Sequence, residues 1–226
     1  MRIIDKQAAL GFLSAPSPKE LAAWCREHRY GGVDPTQDSN RDDMPSGHVL
    51  AAALWHAETK HPNANPLDVA SYAGLVVYLI TGWYDGFGTE NYEKERRAEA
   101  IVLALAGGVA SVESGFYTAP GEVIPGKPSA AFTRRVLEFL DRFYFDDETQ
   151  AVEELLAEVD QATAAKIVLA LAGQAGEKAY RTALDVIRSG QLLTATQVAQ
   201  EYGLSKRAVT LAADEGKLTE QEAVLT

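Results

Sequence analysis

Residues 65–80 read NPLDVASYAGLVVYLI. Asn65-Pro66 supplies a start, because proline at the first helical position has no N–H to lose and a φ already suited to a helix. From Gly74 to Ile80 the stretch is apolar without interruption. A helix that is apolar all round has no face to give to water, so this pattern predicts a helix at the centre of a bundle. The flanking sequence extends the same reading. Residues 5–13 are expected to form a short first helix. Ser17, Pro18 and Glu20 have the spacing of a capping box with proline at the first turn, opening a helix to about residue 28. Residues 30–45 are rich in Gly, Asp, Asn and Pro and read as a loop, after which Ser46 begins a helix to about residue 60.

Beyond the central helix, the glycine-aromatic stretch TGWYDGFGTENY separates it from a long helix expected over residues 92–114. A second Gly/Pro-rich loop covers 117–128. Further helices are expected over 129–145, 148–158, 162–172 and 177–188. Only residues 121–124 hint at strand alternation. The fold class is therefore all-α: a multi-helix bundle over 1–190, followed by a small module over 191–226. The heptapeptide IVLALAG occurs at 101–107 and again at 167–173. Its flanks do not match, so it reads as shared core-helix vocabulary, with Ala and Gly allowing close helix approach, in preference to a duplicated hairpin.

Hydrophobic residues make up 46% of the 226 positions, enough for a substantial core, and the formal net charge is −11. That balance is unlike most autonomous DNA-binding domains, which gain much of their affinity by neutralising phosphates. The single cysteine, Cys25, excludes an intramolecular disulfide and reads as a buried thiol beside Trp24. The amino terminus lacks the apolar core of a signal peptide, and the longest apolar run, residues 100–110, is well short of the ~20 residues of a membrane span. A cytoplasmic protein without membrane contact is expected.

Few residues of the large region suggest chemistry. His48, His56 and His61 lie on or near one helix without the spacing of a helical zinc site, and read as surface or capping histidines. Asp38, Asn40 and Asp42 alternate like the start of a calcium loop, but Asp43 and Val49 stand where Gly and Glu are needed. Glu93, Glu95 and Glu99, with Arg96 and Arg97, open the long helix, where acids offset its dipole. Trp83, Tyr84, Phe87 and Tyr92 read as cover for an open end of the bundle. No phosphate-cradling loop, serine elbow or Cys-His pair occurs, so no catalytic residue, metal or cofactor is assigned.

The carboxy-terminal segment is the most informative. Residues 192–218 read LLTATQVAQEYGLSKRAVTLAADEGKL. Thr194 and Gln197 stand as in a capping box, and Val198, Ala199 and Tyr202 then share a helix face. Gly203 ends that helix, Ser205 caps the next, and Val209, Ala212 and Ala213 recur at helical spacing before Gly216 stops it. This is the pattern of a helix-turn-helix.

The segment resembles the excisionase-type helix-turn-helix, related to the mercuric-resistance-regulator class. Leu193, Thr194, Ala199, Gly203, Leu204, Ser205, Val209, Gly216 and Leu218 match it without a gap. The resemblance covers 193–219 and implies that the second helix offers Ser205, Lys206, Arg207, Thr210 and Leu211 to DNA. Leu211 and Asp214 depart from the usual basic or polar residues, and 219–226 supply none of the family's basic or aromatic wing. Between residues 191 and 226, three bases (Lys206, Arg207, Lys217) face five acids (Glu201, Asp214, Glu215, Glu220, Glu222), a balance of −2. A homodimer engaging two half-sites of double-stranded DNA would offset that weakness. The expectation is a transcriptional regulator or mobile-element accessory factor. The alternative is a protein-interaction adaptor or antagonist of another DNA-binding protein, with the acidic helical region as its partner surface. An enzyme drawing acids from distant loops (Asp34, Asp85, Glu122) ranks last.

Overall fold

A computed structural model of the protein describes residues 4–37, 46–81, 91–107 and 129–188, together with Ser205 and Arg207. Among them are nine helices and no strand: α1 (Lys6–Leu13), α2 (Pro18–Glu27), α3 (Gly47–Lys60), α4 (Pro66–Thr81), α5 (Tyr92–Leu105), α6 (Ala130–Phe145), α7 (Glu148–Glu158), α8 (Gln161–Ala175) and α9 (Glu177–Arg188). The all-α expectation holds. The chain divides into two compact units, Met1–Glu99 with Ile124–Glu148, and Ala100–Val123 with Thr149–Thr226. This division runs through the stretch read from sequence as one bundle.

In the first unit, α4 is the central helix. It packs on α1, α3 and α6, while α1 also meets α3 and α6, and α2 lies on α3. Ten of its residues are buried, including all of Val69, Tyr72, Leu75, Val76, Leu79 and Ile80, as the unbroken apolar stretch requires. The start of the chain is tied down where the Ile4 N–H donates to the Leu79 carbonyl at 3.1 Å. Helix ends form where their capping residues stand. Asp5 accepts from the Ala8 N–H, Ser129 from the Phe132 N–H, and Ser17 and Glu20 complete a reciprocal capping box. Ser46 precedes α3 but accepts from Lys6 Nζ at 3.0 Å instead of capping the helix. Cys25 is fully buried with Leu13, Leu21, Ala51 and Ala52, as its neighbours implied, and burial pushes its thiol up.

In the second unit, α8 packs on α9. Both copies of IVLALAG are core helix: Ile101, Val102, Leu103 and Ala104 are buried in α5, and Ile167, Val168, Ala170, Ala172 and Gly173 in α8. One expected boundary is corrected. The helix expected over 92–114 ends at Leu105, and Gly107 follows with φ +92°, a conformation that glycine adopts without Cβ strain. The calcium-like stretch, the aromatic residues 83, 84 and 87, and the strand candidate at 121–124 lie outside the described residues.

Candidate functional site

Two of the five residues assigned to DNA contact are described. Ser205 and Arg207 are both exposed, and Arg207 is in helical conformation. Lys206, Thr210 and Leu211 lie outside the described residues, as does the rest of the helix-turn-helix segment. Of the dispersed acids, Asp85 and Glu122 are likewise outside. Asp34 is exposed and committed locally: its Oδ1 accepts from the Thr36 hydroxyl at 2.6 Å and the Thr36 N–H at 2.9 Å, which holds its carboxyl below the ordinary value.

The most organised polar group of the first unit was not assigned from sequence. Asp141, on α6, receives two imidazoles on one oxygen: His56 Nε2 lies 3.1 Å and His61 Nε2 3.2 Å from its Oδ1. Lys60 Nζ stands 3.5 Å from Oδ2. The His56 side chain is 4% exposed, which corrects its reading as a surface histidine. His61 is the C-cap of α3, in keeping with a capping role. Both face the carboxylate because α3 brings His56 and Lys60 round one turn apart, and the chain leaving the helix adds His61.

Rings close the cluster. His56 stacks on Tyr72 of α4 at 6.0 Å between centroids, and His61 on Phe145 of α6 at 4.4 Å. Tyr72 meets Phe145 at 5.2 Å; its hydroxyl is fully buried and has no hydrogen-bond partner among the described residues. Burial works to raise the Asp141 carboxyl. The His56 hydrogen bond and the nearby charges of His56, Lys60 and His61 outweigh it and leave the group below its ordinary value. An ionised carboxylate can only accept, so both Nε2 atoms carry hydrogen and donate. Burial, foremost, and the Asp141 charge also hold the Tyr72 phenol in its neutral form. The arrangement orients two imidazoles and joins α3, α4 and α6. Among the described residues, no group of three or more His, Cys, Asp or Glu side chains is placed to hold a metal ion.

A signal for Asp141 did exist in the sequence. Val136, Leu137, Leu140, Phe143 and Tyr144 form the buried stripe of α6, and Asp141 falls beside it at i+4 from Leu137. A carboxylate at such a position needs partners, and the two histidines of the preceding region are the natural donors. What the sequence alone lacked was the α3–α6 pairing. No family model, no curated protein and no solved structure matches the chain.

Proposed function

We propose that the protein binds double-stranded DNA through residues 193–219, as a transcriptional regulator or mobile-element accessory factor acting as a homodimer. The observation that carries this reading is the gapless helix-turn-helix register, with Ser205, Lys206 and Arg207 at the start of its second helix. The exposure of Ser205 and of helical Arg207 supports it. Backbone N–H groups at a helix start, together with two adjacent cations, suit a phosphate or a base edge. The deciding experiment is retention of fragmented host DNA by the full chain across a salt series, with Lys206→Ala/Arg207→Ala alongside. Expected are discrete retained fragments for the native chain and, for the double variant, weaker binding with a salt slope shallower by about 2. Retention unchanged in affinity and slope would remove the assignment.

The local balance of three bases against five acids favours a second reading, an adaptor that docks on another DNA-binding protein. Absence of any DNA retention at low salt would favour it, with Leu211 as the first contact to test.

A further inference from the structure

Glu95 and Glu99 stand one turn apart on α5 and face α4. Glu95 is 3% exposed, and neither of its carboxyl oxygens has a hydrogen-bond partner among the described residues. Ser71 of α4 stands close enough to act on it. The Ser71 hydroxyl, fully buried, makes no hydrogen bond of good geometry among the described residues, and its influence on Glu95 favours the charged form. One turn on, Glu99 is half-buried and accepts from the Tyr78 hydroxyl of α4. Arg96 is the cation acting on Glu99. The other bases of this helix are engaged elsewhere: Lys94 with Asp68 and the Tyr144 carbonyl, Arg97 with Glu148. Glu93 and Glu95 lie in the first turn, as an acid offsetting the helix dipole should, whereas Glu99 lies beyond it; the dipole does not explain why Glu95 is buried.

A carboxylate removed from water without a hydrogen bond or a close cation is unstable and takes up a proton instead. A second carboxylate one turn away adds like-charge repulsion in a medium of low dielectric. The Ser71 hydroxyl, as a donor, favours the charged form of Glu95, but burial outweighs it. We propose that the Glu95–Glu99 pair retains a proton at neutral pH, which couples the packing of α4 against α5 to that proton.

Burial, the largest influence, holds both carboxyls above their ordinary value and pushes Glu99 up to about 8. The folded chain then keeps a proton that the unfolded chain releases. The group's contribution is fully present below its ordinary value of 4.5, falls as pH rises toward about 8, and is level above that. Tyr78 and Arg96 oppose the effect at Glu99, and Ser71 at Glu95, because each favours the charged form.

The test is infrared spectroscopy of the full chain with carbon-13 glutamate, paired with thermal midpoints against pH. Expected is a protonated-glutamate C=O stretch at about pH 6 that vanishes by about pH 10, and a midpoint that falls between about pH 5 and 8. Glu95→Gln and Glu99→Gln should each flatten the fall, and Tyr78→Phe should move it to higher pH. Absence of the stretch from the native chain at about pH 6 overturns the proposal and requires no variant to fold. A midpoint profile in both glutamine variants parallel to the native one overturns it equally.

Discussion

At the scale of single residues, Gly47 shows how a position can be fixed by its neighbour's backbone. It is the first residue of α3, and a Cβ built there would lie 2.3 Å from the Asp34 carbonyl oxygen and 3.0 Å from the Asp34 carbonyl carbon. Those atoms belong to the chain and cannot swing aside as a side chain would. The only relief is to move the start of α3 away from the loop, with loss of packing under it. Gly47→Ala is therefore expected to destabilise the first unit by about 1–3 kcal/mol, despite alanine's better helix propensity. Urea unfolding measures it, and a variant as stable as the native chain would show that the approach is not needed. The sequence displayed this glycine next to a good N-cap, Ser46, but offered no sign of the carbonyl above it. Close approach depends on the path of a loop, and no local pattern encodes that.

At the scale of elements, legibility followed the kind of force involved. The start of α2 was readable because a cap is a local hydrogen bond between residues three apart, visible in the sequence as Ser17 and Glu20; the boundaries expected at 5 and 129 fall on Asp5 and Ser129, which cap α1 and α6. The central place of α4 was readable because an all-apolar surface admits one solution. The end of α5 was misjudged because apolar periodicity continues past Leu105, and Gly107 carries the decisive backbone conformation. The Asp141 cluster was hidden for another reason: its partners lie 80 and 85 residues away in the chain. It joins elements, and its loss should be felt by elements. Asp141→Asn keeps the shape of the side chain and removes the charge that holds His56, His61 and Lys60. The expected cost at neutral pH is about 1–3 kcal/mol, seen as a lowered urea midpoint. Because the folded-state pKa is depressed, the native advantage is present above the ordinary value of 3.8 and is lost as pH falls through the lower folded value. The difference between native chain and variant should therefore close in acid. A gap that persists there would assign the effect to packing instead of charge.

At the scale of the whole molecule, charge decides between the two functional readings. The chain carries a net −11, and residues 191–226 −2, so at long range it repels a polyanion. Binding to DNA then rests on a few local cations, Lys206 and Arg207 foremost, against acids on the same short segment. By the family resemblance, Asp214 would share the DNA-facing side of the second helix with Thr210. If that face meets phosphates, Asp214 opposes binding, and Asp214→Lys both removes a repulsion and adds a cation. Affinity for DNA should then rise by about threefold to tenfold at low salt, about 0.7–1.4 kcal/mol. The logarithmic salt slope should steepen by about 1, the signature of one more neutralised phosphate. If the face instead meets a protein, the same change reverses a charge in an interface, and DNA retention stays where it was while any partner's affinity drops. Fluorescence anisotropy of the full chain with labelled duplex, at several salt concentrations, separates these outcomes. A gain with a steeper slope assigns the face to DNA. An unchanged slope with unchanged affinity takes Asp214 out of the contact surface and moves the acidic, Leu211-bearing face to the adaptor reading.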